Sequence, residues 1–307
     1  RRANGMFALA LWDKQTRTLS LARDRFGQKP LYFGHAASVF AFASELKAFG
    51  ALPSWNRTIN RDALSLYFRH GYIPEPHSIW QGVRKIEPGT IVTVNPEELI
   101  AGKDPVPEHY WDVFDLPARQ QSAISSFGGI VDELDTLLQD AISKCMVSDV
   151  PLGAFLSGGI DSSLVVALMQ AQSGATVNTF TIGFSEAAYN EAHHAAAVAK
   201  HLGCNHHELY ISPADARSVI PQLPAIYDEP FSDSSQIPTF LVSRFAREQV
   251  TVSLSGDGGD ELFAGYNRYI WAARIRSVIE QVPHWARATA AASLTAVPTT
   301  FWDNAAK

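Results

Sequence analysis

Cysteine is scarce in this chain of 307 residues, which contains only Cys145 and Cys204. Two isolated cysteines form neither a disulfide framework nor the ligand pattern of a zinc site. Low cysteine usage is typical of a reducing compartment, so we expect a cytoplasmic protein. The sequence also lacks a long apolar run and the pattern of a secretory signal, so no membrane association is predicted.

Positive charge is in the minority, because 25 Lys and Arg residues stand against 31 Asp and Glu residues, for a net charge of -6. A nucleic-acid surface needs clustered Lys and Arg, so we expect no nucleic-acid partner. Hydrophobic residues make up 46% of the chain, and its length is sufficient for two domains that each bury a core. The first residue is Arg1 rather than Met, and we expect that part of the natural N-terminus is missing.

A glycine turn lies between two apolar segments near the middle of the chain. Residues 150–156 are apolar, Ser157-Gly158-Gly159 follows, and residues 160–169 are again mostly apolar. This pattern predicts a buried strand, a tight turn and a helix N-terminus, an arrangement that binds anions. The alternative is an ordinary strand-to-helix turn that is capped by Asp161 or Ser162.

The glycine turn is not a Walker A loop, because no Gly-Lys-Ser/Thr sequence follows it. Asp161 follows instead, close to Ser162 and Ser163. A carboxylate beside a phosphate requires a cation between them, and Mg²⁺ bound by a carboxylate and phosphate oxygens is the usual solution. The turn therefore predicts a site for a magnesium-bound phosphate ligand.

A second glycine turn of the same kind occurs further along the chain. Residues 250–254 alternate like a strand, and Ser255-Gly256-Asp257-Gly258-Gly259-Asp260-Glu261 follows them. In a parallel sheet the carboxyl ends of all strands lie at one edge. We therefore expect both turns to face one nucleotide.

Hydrophobic periodicity divides the chain into two regions. Residues 6–45 alternate with a period of two and predict antiparallel sheet, whereas residues 60–70 predict a helix capped by Asn60. Periodicity fades between residues 105 and 126, and beyond it strands and helices alternate, which predicts a parallel sheet covered on both faces. The expected strands are residues 150–156, 178–184, 206–211 and 250–255, and the expected helices are residues 162–172, 190–202, 214–227 and 236–249.

The motifs Ser157–Ser163 and Ser255–Glu261 together resemble those of the pyrophosphate-loop ATP ligases, specifically the synthetase domain of glutamine-hydrolysing asparagine synthetases. The stretches Asn4–Asp13, Arg23–Tyr32 and Ala43–Ala48 look like the second half of that family's glutaminase domain. The resemblance spans nearly the whole chain and implies an α/β fold in two parts.

The first part implied by the resemblance is a partial Ntn-type glutaminase β-sheet region, residues 1–122. The second part is a parallel-sheet domain of the adenine-nucleotide alpha-hydrolase type, residues 123–307, which we expect to be truncated at its C-terminus.

The function implied by the resemblance is ATP-dependent amidation. Aspartate would be activated as aspartyl-adenylate, and ammonia from glutamine would convert it to asparagine, with release of AMP and pyrophosphate. The implied substrates are aspartate, ATP and glutamine or ammonia, the implied metal is Mg²⁺, and a homodimer is compatible with the family. The family's glutaminase nucleophile precedes the segment that begins at Asn4, so glutamine hydrolysis is not expected from this chain as given.

The resemblance also assigns roles residue by residue. Asp161 and Asp260 match the magnesium ligands, and Asp257 matches a catalytic position that is usually Glu in the family. The missing methylene would retract the carboxylate by roughly 1.5 Å, which can cost about a hundredfold in rate unless the backbone compensates. The expected contacts to ATP and pyrophosphate are Phe155, Leu156, Ser157, Gly158, Gly159, Asp161, Ser162, Ser163, Ile182, Ser255 and Gly256.

The segment of residues 227–238 is expected to line the pocket for the acceptor carboxylate, with Asp228, Glu229, Ser234 and Ser235 as candidates. It is equally well interpreted as a solvated loop in which Ser234 or Ser235 caps the next helix. By the same resemblance, Arg23-Asp24 and Ser44-Glu45 are candidates for the domain interface.

Two alternatives to asparagine synthesis stay open. The same adenylation chemistry would serve another carboxylate, such as a sugar uronic acid in polysaccharide biosynthesis. The other alternative is a degenerate nucleotide-binding module without catalysis, against which the retention of both Asp161 and Asp260 argues.

Overall fold

The computed structural model describes residues 3–36, 39–53, 55–116, 126–184 and 190–297. They form an antiparallel N-terminal part and a C-terminal part built on a parallel sheet, so the predicted α/β fold class is confirmed. The domain boundary expected between residues 122 and 123 lies outside the described residues and stays a prediction. Within the described residues, no helix combines the length and the apolar character that crossing a membrane requires.

The N-terminal part contains two antiparallel sheets, with strand orders β1-β2-β6-β7 and β4-β3-β5. Leu21 and Val92 are fully buried in the first sheet, and they pack with Phe33 and Ile86 of the second sheet region. The elements are β1 Ala8–Asp13, β2 Thr18–Arg23, β3 Tyr32–Ala36, β4 Val39–Ala43, α1 Arg61–His70, β5 Val83–Lys85, β6 Thr90–Val94, α2 Pro96–Ile100 and β7 Pro107–His109.

Helix α1 begins and ends where the sequence predicts. The side-chain oxygen of Asn60 accepts hydrogen bonds from the N–H groups of Asp62 and Ala63, at 3.1 and 3.2 Å. Gly71 follows the last turn with φ = 79°, a left-handed conformation that favours glycine. These two caps fix the ends of a helix that packs on the N-terminal core through Ala63.

Among the described residues, the side-chain hydrogen bonds of Arg23 and Asp24 stay within the N-terminal part, and an interface role for this pair stays a prediction. Their side chains are buried inside the N-terminal part, and each bonds mainly to the backbone. The guanidinium of Arg23 donates to the carbonyl oxygens of Gly27, Lys29 and Ile86. The carboxylate of Asp24 accepts from backbone N–H groups around it, so the pair organises a turn rather than a surface.

The C-terminal part is organised on a four-stranded parallel sheet with strand order β10-β9-β8-β11. The alternation of strands and helices predicted from the sequence is present. Its elements are α3 Phe127–Cys145, β8 Leu152–Phe155, α4 Ile160–Gln172, β9 Asn178–Phe184, α5 Ala192–Leu202, β10 Asn205–Ile211, α6 Pro213–Val219, α7 Leu223–Ile226, α8 Gln236–Ala246, β11 Val252–Leu254, α9 Gly259–Phe263, α10 Asn267–Glu280 and α11 His284–Ala296.

Successive residues of β8 point to opposite faces of the sheet, as in any strand. Ala154 belongs to the core that α3, α4 and α5 cover. Its neighbour Phe155 packs with Phe180 and with Phe245 of α8. The sheet is therefore covered on both faces, as the sequence predicts.

The single helix predicted over residues 214–227 is wrong, because the structure divides this stretch into α6, a short 3-10 turn and α7. Pro221 and Pro224 lie within it. A proline has no N–H group and clashes with the preceding helical turn, so a continuous α-helix cannot form here.

Candidate active site

A cleft of about 820 Å³ lies at the carboxyl edge of the parallel sheet. It lies where the chain leaves β8 and its neighbour β11, at the point where the strand order reverses. Ligands bind at such switch points in open α/β sheets. The sequence-predicted residues that line the cleft are Phe155, Leu156, Ser157, Gly159, Asp161, Ser162, Ile182, Ser255, Gly256, Asp257 and Asp260.

The first glycine turn is held in shape by Ser162, whose side chain is almost completely buried. The Ser162 hydroxyl accepts a hydrogen bond from the N–H of Ser157 at 3.2 Å and lies 2.9 Å from the Ser157 hydroxyl. Gly159 occupies the N-cap position of α4, and no described side chain caps this end. The first N–H groups of α4 are therefore left for an anionic ligand.

Two of the predicted phosphate-binding residues face away from the cleft. Gly158 has φ = 80° and lies against α5, so an added Cβ would be 2.7 Å from the backbone N of Ala195. Ser163 lies beside an apolar groove between α4 and α5, and its buried hydroxyl has no hydrogen-bond partner among the described residues. The structure thus gives Gly158 a steric reason to be glycine, and a ligand contact for either residue stays a prediction.

The second glycine turn lies directly against the first. A Cβ on Gly256 would be 2.7 Å from the backbone N of Ser162, and one on Gly259 would be 2.5 Å from Cγ of Asp161. A Cβ on Gly265 would overlap the carboxylate of Asp260. These glycines let the two turns and their carboxylates approach one another closely.

Three aspartates, Asp161, Asp257 and Asp260, line this one cleft. The carboxylate of Asp257 accepts a hydrogen bond from the Ser255 hydroxyl at 2.9 Å. Among the described residues, no group of three or more His, Cys, Asp or Glu side chains could enclose a metal ion. The arrangement fits Mg²⁺, which is typically bound by one or two carboxylates together with phosphate oxygens of a substrate.

Sequence reasoning missed one wall of the cleft. Thr239 and Val242 of α8 line it, and so does Glu191 just before α5. Pro238 also lines the cleft, and it is the last residue of the segment 227–238 expected to line the acceptor pocket. This overlap between the segment and the first turn of α8 was the available signal that the helix reaches the ligand site.

The four candidates for acceptor binding are not brought into the cleft. Asp228 and Glu229 line a second cavity of about 430 Å³, between the N-terminal part and the segment before α8. Their carboxylates face Lys47 at 3.5 Å and Lys85 at 2.6 Å. Ser234 and Ser235 are exposed, and neither makes a described side-chain cap on α8. Their acceptor role stays a prediction without support from the geometry.

Fold and cleft together define a class: α/β proteins with two glycine turns beside a cleft at the carboxyl edge of a parallel sheet, an arrangement suited to an anionic ligand. Comparison with known proteins gives the family. The family model described as asparagine synthase matches residues 133–303, and the one described as glutamine amidotransferase domain matches residues 1–111. This chain belongs to the asparagine synthase family.

Among curated relatives, an asparagine synthetase homologue from Methanocaldococcus jannaschii is 38% identical over 287 residues, which are 92% of this chain and 54% of the relative. Asparagine synthetase [glutamine-hydrolyzing] 1 of Bacillus subtilis is 35% identical over 268 residues, 87% of this chain and 40% of the relative. Amidase chyE of Penicillium rubens is 28% identical over 283 residues, 86% of this chain and 40% of the relative. The chain thus spans about half the length of these relatives, or less.

Likeness to solved structures is low. NMN synthetase from Francisella tularensis superimposes with a TM-score of 0.33 at 18% identity, over 44% of this chain and 58% of that chain. A likeness of this size carries no argument about function.

Proposed function

We propose that this chain is part of an asparagine-synthetase-type amidotransferase that activates a carboxylate with ATP and transfers ammonia to it. The favoured acceptor is aspartate. The observation that carries the proposal is the convergence of the two glycine turns and three aspartates in one cleft at the carboxyl edge of the sheet. A cleft of about 820 Å³ is also within the usual size of a small-molecule site.

The proposed reaction has two steps. A carboxylate oxygen of aspartate attacks the α-phosphorus of ATP, and the bond to the pyrophosphate oxygen breaks with its electron pair. Ammonia then attacks the acyl carbon of the adenylate and loses a proton, and AMP departs to leave asparagine. Adenylation makes the second step possible, because AMP is a far better leaving group than the oxide ion (O²⁻) that a free carboxylate would have to expel.

The chain's own residues would bind and orient the nucleotide. The uncapped start of α4, directly after the turn at Ser157–Gly159, would hold the pyrophosphate by its N–H groups, and Ile182 lies where a base could pack. Asp161 and Asp260 would hold Mg²⁺, which supplies positive charge against the phosphate oxygens. Asp257, oriented by Ser255, is our candidate for accepting the proton that ammonia releases.

The test measures pyrophosphate release from ATP and Mg²⁺ by the intact protein, in the presence of ammonium, with and without L-aspartate. We expect release that depends on aspartate, with AMP and asparagine as products. An Asp257→Asn variant should still bind ATP but lose most of the product formation. ATP binding with no response to aspartate would contradict the proposal that aspartate is the acceptor.

A second acceptor is favoured by two observations. Asp257 stands where the resemblance implies Glu, and Asp228 and Glu229, two candidates for binding the acceptor, line another cavity. A different carboxylate, such as a sugar uronic acid, would then be adenylated in the same cleft. Pyrophosphate release with a uronic acid but not with aspartate would select this alternative. A protein that binds no ATP in the presence of Mg²⁺ would instead be the non-catalytic module.

A further inference from the structure

A short segment links the N-terminal part of the protein to one wall of the cleft. We define the connecting loop as residues 227–235, which lie between α7 and α8. The loop contacts the N-terminal part near both of its ends, and it continues directly into the helix whose first two turns line the cleft. The position of the connecting loop therefore affects the position of the cleft wall.

Glu229 makes the first contact. Its side chain and that of Lys85 are only 11% and 12% exposed, and their charged atoms lie 2.6 Å apart. The second carboxylate oxygen accepts a hydrogen bond from the N–H of Ile79 at 2.7 Å. Burial raises the pKa of Glu229, and the Lys85 ammonium opposes this rise. Both oxygens are thus engaged by the N-terminal part, and neither faces the cleft.

Ser232 makes the second contact, three residues further along the loop. Its N–H donates to the carbonyl oxygen of Gly71 at 2.7 Å, directly after α1. Its hydroxyl lies 2.7 Å from the Tyr67 hydroxyl. Asp228 adds an ion pair with the half-exposed Lys47 at 3.5 Å, so the N-terminal part holds the connecting loop at three residues. Only Lys85–Glu229 is a pair in which both charged side chains are largely buried.

The loop is also braced against α8. The Tyr227 hydroxyl donates to the carbonyl oxygen of Gln236, and the Gln236 side chain donates to the carbonyl oxygen of Phe231. Gln236 is the first residue of α8, and Pro238 and Thr239 line the cleft within the next turn. A shift of the loop would therefore move the residues that form the cleft wall.

We propose that Lys85 and Glu229 form a positioning pair, by which the N-terminal part holds the first turn of α8 against the cleft and thereby sets its affinity for the ligand. The inference rests on the proposed function in one respect, that the ligand is ATP. Glu229 touches neither the cleft nor the reacting atoms, so it acts through α8. This role replaces acceptor binding as our interpretation of Glu229.

The main test variant is Glu229→Gln in the intact protein. It removes the charge but leaves an oxygen that can accept from the N–H of Ile79. The matched control is Glu75→Gln, which removes the partner of the buried Arg23, at 3.3 Å, within the N-terminal part. Both changes break an ion pair with a largely buried cation, although Glu75 is 34% exposed and lines the same cavity as Glu229. Only the first pair holds the connecting loop.

The first readout is amide hydrogen exchange over residues 236–242, without ligand. Glu229→Gln should accelerate exchange there, whereas Glu75→Gln should leave it at the wild-type rate. Unchanged exchange in Glu229→Gln would overturn the proposal. This readout needs no catalysis, so it decides about the positioning pair even if the protein fails to form pyrophosphate, which would be a failure of the proposed function.

The second readout is the dissociation constant of ATP in the presence of Mg²⁺. We expect a rise on the order of tenfold for Glu229→Gln, which corresponds to about 1.4 kcal/mol. The Glu75→Gln control should keep the wild-type value even if its melting temperature falls.

The double variant Lys85→Met/Glu229→Gln separates a loss of positioning from a general loss of stability, because it leaves no uncompensated buried charge. It should regain stability while ATP binding stays weak. Recovery of both stability and ATP binding would overturn the proposal, because it would show that the charges serve stability alone.

Discussion

Asp161 is the residue on which the two glycine turns converge. Hypothetical Cβ atoms on Gly256 and Gly259 would both come within about 3 Å of it, and its carboxylate lines the cleft. It also lies in the first turn of α4, where a negative charge interacts favourably with the helix dipole, an effect worth at most about 1 kcal/mol at such a site. Because Asp161 stabilises α4 only modestly, we infer that this carboxylate serves to bind a ligand.

We predict that Gly259→Ala impairs the use of ATP with Mg²⁺ without unfolding the protein. The new Cβ would lie 2.5 Å from Cγ of Asp161, so the carboxylate must rotate or shift. A displacement of about 1 Å can cost roughly a hundredfold in rate. Pyrophosphate release at saturating ATP, together with the unfolding midpoint, measures the two effects separately.

The control for this prediction is Gly128→Ala, in the first turn of α3, where an added Cβ meets nothing within 4 Å. It should leave activity unchanged and raise the free energy of unfolding by up to about 1 kcal/mol, because alanine is the better helix former. Wild-type activity in Gly259→Ala would show that Asp161 tolerates displacement and would argue against its role as a metal ligand.

The sequence predicted about half of the residues that line the cleft, and most of these lie in two short, continuous motifs. A strand that ends in a glycine turn before a helix has a defined local geometry, and parallel strands bring such turns to one edge. The wall from α8 could not be predicted in this way. Helix α8 lies beside the cleft because its Phe245 packs against Phe180 of β9. No local periodicity in the sequence encodes this contact.

At the scale of elements, helix α1 illustrates how a local signal fixes a structural unit. Asn60 supplies the N-cap and Gly71 the left-handed end, both visible in the sequence. The helix then presents Tyr67 to the connecting loop. Local capping thus determines where one of the contacts between the two parts of the protein is made.

We predict that Asn60→Ala lowers the free energy of unfolding by about 1 kcal/mol, the usual cost of losing an N-cap side chain. The N–H groups of Asp62 and Ala63 would lose their acceptor. Thermal or urea denaturation measures the effect. The matched control is Asn95→Ala, which removes the cap from α2, a five-residue helix without buried residues.

Helix α2 has no fully buried residue and contacts the core only through the partly buried Leu99, so the control variant should lose less stability than Asn60→Ala. Equal losses in the two variants would show that the cost does not depend on the tertiary packing of α1.

The division of residues 213–226 into α6 and α7 follows from Pro221 and Pro224, which exclude the single α-helix that the alternation of strands and helices predicts here. The break has a consequence for the whole chain, since it directs the backbone into the connecting loop. The carbonyl oxygens of Ala225 and Ile226 accept hydrogen bonds from Lys47 there.

In the whole molecule, the N-terminal and C-terminal parts meet at the ion pair of Lys85 and Glu229, and the sequence does not indicate that these two residues are partners. The N–H of Ile79 and the carboxylate of Glu229 are 150 positions apart. Composition and periodicity do not indicate which of the chain's Lys residues would face this glutamate. Sequence reasoning therefore assigned Glu229 to a ligand, although the fold gives it a partner inside the protein.

We predict that Lys85→Met makes the stability of the protein strongly dependent on pH. Removing one partner of a buried ion pair typically costs about 3–5 kcal/mol while the other partner stays charged. Burial already raises the pKa of Glu229 in the folded protein, and the loss of the opposing ammonium raises it further. Protonation removes the uncompensated charge of Glu229, so the destabilisation of the variant relative to wild type should be smallest at low pH.

The direction of this pH dependence follows from proton linkage. A carboxyl whose pKa is higher in the folded state binds more protons there than in the unfolded state, so stability falls as the pH rises through the folded pKa. Lys85→Met should therefore lose stability relative to wild type as the pH rises from 5 to 8. Urea unfolding at each pH measures this, and Lys85→Met/Glu229→Gln is the control because it lacks the titrating group. If the extra pH dependence persists in the double variant, a group other than Glu229 is its source, and the two parts of the protein are coupled by some other contact.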